Sequence, residues 1–402
     1  MARPALSIVI PTRNRPALAQ VAVESVLAGM PADVEVVVAD NSDAPTSIPS
    51  DPRVNVLPRL AQPITMTANW ERALAATRGE WVTFMSDKHR IVPRLYMRVL
   101  ELAIGARTRL ATFDRACMYQ DISPDAITAT SLWESPGRLQ APSKPPTWTT
   151  RSTADTLTEW YRIIRGAPHR PQIYRGIVHR SVIESAMQRT GRFFFGTCPD
   201  YASGLQSMAE VSEYVSTNMP AVIVQIPTAD ITAWSPAQSL DRGGKLGNER
   251  MREVGAASFA KHNLPITVTS SILETLLEFR GMRPDVCATI PVDWQRYAWL
   301  ASNEIENATY MSSVERLRNH ALIARATQSD GLEARPLMTL ARVVVSRRHP
   351  RMSAAYRRFM GMLGNDIEAR DRGARDLRAV DSLHGARGEL ERMFADPRRA
   401  AS

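Results

Sequence analysis

The 402-residue chain is 44% hydrophobic, enough to bury a sizeable core and to divide into two or three structural units. No run of eighteen apolar residues occurs, and Cys117, Cys198 and Cys287 stand far apart, which excludes a membrane-spanning helix, a disulfide framework and a metal-binding cysteine pair. The formal charge of +9 is uneven, since residues 335–402 hold 15 Arg against 8 Asp or Glu. Such a basic surface suits an anionic membrane, nucleic acid or a phosphorylated acceptor; a solvated helical face or a homo-oligomer interface is the plainer alternative. The apolar stretch at the N-terminus is too short for a secretory signal. The expected location is cytoplasmic, with the basic region as a means of peripheral attachment at the inner face of the membrane.

Leu6 to Ile10 is a nearly continuous apolar run of the kind found in buried parallel strands, and Pro11 is expected to stop it. Thr12-Arg13-Asn14-Arg15 is a polar loop, and Pro16 opens a helix carrying Leu18, Val21, Val23, Val26 and Leu27. A second buried strand, Val34 to Ala39, runs out into Asp40-Asn41-Ser42-Asp43, and Val54 to Leu57 reads as a third. A helix over residues 64–78 leads into the strand Trp81 to Met85, after which the composition turns abruptly to Ser86-Asp87-Lys88-His89-Arg90. Strand and helix alternating in this way predict a doubly wound α/β core. Its crossover rule puts the polar segments at 12–15, 40–43 and 87–89 on one edge, where such sheets bind ligands.

Further on, residues 94–104 read as a helix and Leu110 to Phe113 as a strand. Residues 121–158, rich in Pro, Ser and Thr, read as a long loop in which Trp133 or Trp148 packs on the core or lines an acceptor cleft. A helix at 155–165, a strand at Ile173 to His179 and a helix at 180–190 follow. Asp200 stands at the opening of a helix covering roughly 200–212, where helix capping alone would account for it. Ala221 to Pro227 reads as an edge strand, and Arg242 and Lys245 lie in a Gly-rich polar loop from which either can reach a phosphate. Beyond Leu264 the pattern is mainly helical.

An acidic residue after the second strand suits a ribose or base, and an acidic cluster after a later strand suits a divalent ion bridging two phosphates. The glycine-rich loops of dinucleotide enzymes and of nucleotide hydrolases are both absent after the first strand, which counts against redox and ATPase chemistry. The segments Leu6-Ser7-Ile8-Val9-Ile10-Pro11-Thr12-Arg13-Asn14-Arg15, Val36-Val37-Val38-Ala39-Asp40-Asn41-Ser42, Asn69-Trp70-Glu71-Arg72-Ala73 and Gly79 to Asp87, in this order and spacing, resemble the family 2 glycosyltransferases. The resemblance is strong over the first 95 residues and loose to about 240.

The resemblance implies an α/β fold of the GT-A type, placed over 1–255; the sequence pattern beyond it gives a mainly helical C-terminal region over 256–402 that is basic after 335. It implies inverting transfer of a sugar from a nucleoside diphosphate sugar to a hydroxyl on a surface polysaccharide, a lipid-linked saccharide or a small molecule. Pro11, Thr12, Arg13 and Asn14 would border the nucleotide, Asp40 would approach its base or ribose, and Asn69 would stand beside the donor. Asp87-Lys88-His89 occupies the place of the family's acidic triplet, and Asp200 that of the catalytic base. The resemblance thus implies a divalent ion, Mn²⁺ or Mg²⁺, at Asp87 and His89. Imidazole is a poor ligand for Mg²⁺, and Lys88 can instead neutralise phosphate directly and make the ion dispensable. Two rival readings remain: a nucleotidyltransferase, and a non-catalytic sugar-nucleotide binding protein that has lost its acidic triplet.

Overall fold

The structure, a computed structural model, describes residues 3–164, 169–227, 262, 264–265, 267–308, 311–328 and 375–394. Strands β1 (Leu6–Thr12) and β2 (Val34–Asp40) pair in parallel along their whole length, Leu6 opposite Val34 and Thr12 opposite Asp40. Helix α1 (Pro16–Leu27) connects them, with Pro16 in its first turn where a missing N–H costs nothing.

Pro11 does not end β1. The Met85 N–H donates to the Val9 carbonyl, so alternate residues of β1 aim their backbone groups toward β4 (Trp81–Phe84), which pairs with β1 only as far as Val9. Past that point no neighbour waits for an N–H at position 11, and proline removes no ladder bond. On the other side of β2 lies β3 (Val54–Val56), and α2 (Met66–Ala75), capped by the Thr65 hydroxyl, leads into β4.

Beyond β4 the structure departs more from local pattern. Asp87, Lys88, His89 and Arg90 are all at most 7% exposed, which rules out a solvated turn. His89 starts β5 (His89–Ile91), which pairs antiparallel with β10 (Glu213–Pro227). After α3 (Pro93–Gly105), β6 (Leu110–Gln120) runs well beyond the expected Phe113. Partners on β10 and β7 (Gly137–Pro142) carry it past the polar pair Asp114 and Arg115.

The supposed loop at 121–158 contains α4 (Ala129–Glu134), β7, β8 (Trp148–Ser152) and the start of α5 (Thr153–Ile163). Pairing with β6 and β10 overrides its turn-rich composition. Residues 173–179 split into a 3₁₀ turn and β9 (Gly176–His179), which lies antiparallel between β4 and β6. Helices α6 (Arg180–Thr190) and α7 (Pro199–Ala209) follow. β10, expected as a short edge strand, is a central strand of 15 residues bonded to β5, β6 and β8.

The main sheet runs β11 (Arg375–Val380), then β7-β6-β9-β4-β1-β2-β3, and is covered on both faces. Period-two alternation divides its side chains: Leu6, Ile8 and Ile10 enter one core with α1 and α3, whereas Val9, Val37 and Ala39 enter the other with α2, α6 and α7. The C-terminal helices α8 (Val268–Met282), α9 (Pro284–Cys287), α10 (Trp294–Asn307) and α11 (Ser313–Gln328) extend this second core. Arg283, 5% exposed, pins the end of α8 to α7 through an ion pair with Glu210.

The chain then returns to the first face. β11 (Arg375–Val380) pairs with β7, and α12 (Leu383–Phe394) buries Leu383, Ala386, Leu390 and Phe394. Among the described residues the C-terminal region is therefore helical except for one strand that joins the sheet. Trp133 packs here, stacked on His384 at 4.5 Å with its Nε1 donating to Glu24 (2.6 Å), while Trp148 is exposed. Arg242, Lys245 and the basic stretch 335–374 lie outside the described residues. Among the described residues no helix is long and apolar enough to cross a membrane.

Candidate active site

Three strand ends converge as the crossover rule requires. Thr12 and Asp40 are register partners at the ends of β1 and β2, and the Thr12 hydroxyl donates to Asp87 Oδ2 (2.9 Å) just beyond β4. Arg15 Nε meets the same oxygen at 2.9 Å. Asp87 is fully buried; burial pushes its carboxyl pKa up, and the charge of Arg15 with the Thr12 hydrogen bond opposes that rise.

The other residues of the first two loops mostly brace the backbone. Asp40 accepts the Ser42 N–H on Oδ1 (2.9 Å) and the Thr46 N–H on Oδ2 (3.1 Å), which curls the chain after β2. Each carboxylate oxygen keeps a second lone pair for a ligand hydroxyl. Asn14, at φ 55, donates its side-chain amide to Asp43 (2.7 Å) and takes the Asp43 N–H in return (2.9 Å), and Arg13 stands 3.7 Å from the same carboxylate. Asn69 is 3% exposed and donates to the Ala39 carbonyl (3.0 Å), so it ties α2 to the end of β2. It acts on the site through the position of Asp40. Pro11 is buried in the same strand end.

His89 is 3% exposed, and its Nδ1 has no hydrogen-bond partner among the described residues. Burial, followed by the positive charges of Arg115, Arg90 and Arg175, holds its imidazole pKa down to about 3. The ring is therefore neutral. It lies edge-on to Tyr174 (5.6 Å between centroids), and Tyr174 also packs on Trp70 at 4.7 Å. The Tyr174 phenol is pushed well above its usual range by burial and then by the negative charges of Asp200 and Asp87. Tyr174 thus lies within electrostatic reach of both the strand-end carboxylate and Asp200, far apart in sequence.

Asp200 is not the cap of α7. Cys198 occupies the cap position and makes no side-chain bond, Pro199 opens the helix, and Asp200 sits in the first turn, where a negative charge favours the helix dipole. Gln172 Nε2 donates to Asp200 Oδ2 (3.2 Å) and Arg175 Nη2 donates to Gln172 Oε1 (3.2 Å), forming a chain from carboxylate to guanidinium. Burial raises the Asp200 carboxyl pKa, with Arg170 as the main opposing charge. Gly204 makes the approach possible, because a Cβ there would lie 2.0 Å from the Pro171 carbonyl. Glu71 fixes the preceding loop by accepting the N–H groups of Phe193 (2.8 Å) and Phe194.

The structure therefore brings Thr12, Asp40, Asp87, Lys88, His89 and Asp200 to one side of the sheet. Arg15, Arg115, Arg170, Gln172, Tyr174 and Arg175 join them without being singled out in the sequence. Tyr174 and Arg175 belong to a 3₁₀ turn with no motif of its own, and Arg115 interrupts what reads as the end of an apolar strand.

The donor set does not fit a hard divalent cation. Such an ion seeks several oxygen ligands. Here the only carboxylate of the triplet already holds Arg15 and Thr12, and three guanidiniums bear on His89. Among the described residues no group of three His, Cys, Asp or Glu side chains converges on a point suited to a metal ion.

Comparison with known proteins agrees with the strand-end pattern. Residues 7–115 match the family described as Glycosyl transferase family 2. No curated protein matches by sequence. Similar solved structures include S. aureus TarS (12% identity, TM-score 0.40, 83% of this chain and 54% of that chain covered). Others are S. aureus TarS 1-349 in complex with UDP-GlcNAc (11%, 0.40, 85% and 91%) and in complex with UDP (12%, 0.41, 85% and 91%). The chain spans about half the length of the first of these. Residues 12–15, 40–43 and 86–89 all fall within the segment that matches this family model.

Proposed function

We propose that the protein is an inverting glycosyltransferase that takes a sugar from a nucleoside diphosphate sugar to a hydroxyl acceptor. One observation carries this reading: the strand-end residues Thr12, Asp40 and Asp87 lie in the segment that matches family 2, and a second buried carboxylate, Asp200, held by Gln172, acts together with Asp87 on Tyr174, which packs against His89. In this reading the nucleoside lies over the loops at 12–15 and 40–43, Asp40 accepts from its ribose or base, and the diphosphate points toward 87–89.

Asp200 serves as general base. The acceptor oxygen forms a bond to the anomeric carbon as the bond to the diphosphate oxygen breaks; the electron pair leaves with the diphosphate, and the acceptor proton passes to Asp200. A carboxylate whose pKa burial has raised holds that proton better than one in water. Gln172 positions it, and the positive charge of Arg170 opposes the rise that burial causes.

The resemblance implies Mn²⁺ or Mg²⁺ at this site, but the residues at 87–89 are a poor donor set for either. We carry forward the alternative, in which cationic side chains balance the diphosphate. The acceptor class is that expected from the family: a polysaccharide, a lipid-linked saccharide or a small molecule.

The test is turnover with a panel of UDP-, GDP- and dTDP-sugars, with simple glycoside and polyol acceptors and with water. Release of the nucleoside diphosphate from one donor, with inversion seen by NMR at the anomeric carbon, is the expected result. Consumption of nucleoside triphosphate with a sugar phosphate would favour a nucleotidyltransferase instead. Binding of a sugar nucleotide without turnover under any condition would leave a binding protein.

A further inference from the structure

The backbone of residues 87–89 is held from the core by two side chains, Arg90 and Gln225. Arg90 is fully buried and turns its Nη1 back along its own chain, donating to the carbonyls of Asp87 (2.6 Å) and His89 (2.8 Å). Its Nε donates to Gln225 Oε1 (2.6 Å) on β10, and the Gln225 N–H donates to the Lys88 carbonyl (2.9 Å). One arginine and one glutamine therefore hold the carbonyls of Asp87, Lys88 and His89 together. Gln225, also fully buried, is fixed in turn by donating through Nε2 to Gln120 Oε1 on β6 and to the Leu132 carbonyl on α4.

Stability alone is a poor account of this arrangement. Taking a guanidinium out of water is costly, and here the cost is not fully offset, since Arg90 Nη2 has no hydrogen-bond partner among the described residues. An apolar side chain of similar volume often fills such a place with no loss of stability. What an apolar side chain cannot do is hold carbonyl groups. The turn here is tight, with the His89 N–H donating to the Ser86 carbonyl (2.8 Å), and charge-assisted bonds from one nitrogen to Asp87 and His89 fix it from beneath. That turn sets where Asp87 stands to meet Thr12 and Arg15 (2.9 Å each).

Resting on the glycosyltransferase reading, we propose that Arg90 and Gln225 are positioning residues for the diphosphate end of the donor site, acting by fixing the backbone of residues 87–89 and touching no substrate themselves. The nucleoside end has its own support, because Asp40 is held by the N–H groups of Ser42 and Thr46. Loss of Arg90 therefore acts unequally on the two ends of a nucleotide. A purely structural role would not discriminate between them.

Binding of UDP, GDP and dTDP is measured by calorimetry on the full chain, with ligand-detected NMR for the weaker matching nucleosides, beside turnover of the corresponding sugar nucleotides. Arg90→Met, which keeps the volume and loses the bonds, should weaken diphosphate binding by roughly 10-fold or more and leave nucleoside affinity within about twofold. Its kcat should fall by roughly 10²-fold, the cost of a misplacement of about 1 Å. Gln225→Leu should move both quantities the same way, and Arg90→Lys, whose single ammonium lacks the planar fork, should fall between wild type and Arg90→Met. Glu35→Gln serves as the control. Glu35 is buried near the opposite ends of β1 and β2, bonded to Ser7 (2.6 Å) and Arg78 (3.0 Å), so its loss should lower the melting temperature and keep the ratio of diphosphate to nucleoside affinity.

An unchanged ratio in Arg90→Met and Gln225→Leu, whatever their melting temperatures, would make the pair structural only and overturn the proposal, while a wild-type protein that turns over a sugar nucleotide keeps the glycosyltransferase reading. Should Arg90→Met fail to fold, Arg90→Lys and Gln225→Leu decide by the same ratio. If no nucleotide binds the wild-type protein and no donor is consumed, the glycosyltransferase reading itself fails and this proposal with it.

Discussion

His89 stands where the family pattern has an acidic residue, and its surroundings give it a measurable pH signature. Its pKa falls to about 3 in the folded chain from an ordinary value near 6.5, so below pH ~6.5 the unfolded chain binds a proton that the folded chain refuses. Stability contributed by the neutral ring is complete above that pH and is lost as pH falls toward 3, at about 1.4 kcal/mol per pH unit. Urea melts at pH 7 and 5 should show this slope, and His89→Gln should flatten it; an unchanged slope would mean that the ring is protonated or solvated. At Asp200 the shift runs the other way. Its raised pKa should put the acid limb of kcat/KM above the usual carboxylate range, with activity falling as pH falls through it. The pH profile of the wild-type enzyme checks this directly.

At the scale of elements, α7 is held by a close approach and by one carboxylate. Gly204→Ala would drive a Cβ toward the Pro171 carbonyl and the Trp160 ring, so the helix must shift, at a cost of roughly 1–3 kcal/mol. Because Asp200 and Gln172 flank that contact, kcat should fall further than donor affinity. Glu71→Ala would strand the Phe193 and Phe194 N–H groups, at roughly 1–3 kcal/mol for each that stays dry. Thermal melts with kinetics on both variants test these costs.

The elements also show where sequence reading works. β1, α1, β2, α2 and β4 were legible because each follows one period and ends at a turn signal. β6 past Phe113, β7, β8 and the first half of β10 were not, since Asp114 and Arg115 interrupt one and turn-rich residues fill the others. Their strands exist through partners, and a partner distant in sequence leaves no local trace. The same limit hid Arg170, Tyr174 and Arg175, whereas Thr12, Asp40 and Asp87 could be placed by the crossover rule alone.

At the scale of the molecule, the C-terminal region is part of the fold of the N-terminal one. β11 covers the edge of β7, and α12 buries Leu383, Leu390 and Phe394 against the α1–α3 face. Arg378 and Arg392 both pair with Glu389, and Arg387 lies over Trp133, so these three arginines are engaged within the chain. Removing residues 375–402 should therefore expose an apolar face worth roughly 5–9 kcal/mol as an upper bound, and yield a protein that melts earlier and aggregates. A truncated chain with an unchanged melting temperature would contradict that docking. The central claim, a nucleotide-sugar cleft served by Asp200 as base, is tested most directly by nucleoside diphosphate release from saturating sugar nucleotide, with wild type and Asp200→Asn side by side. The account predicts a rate about 10²- to 10⁴-fold lower in the variant, with donor affinity nearly unchanged. Equal rates, or no release by the wild-type protein from any donor, would contradict it.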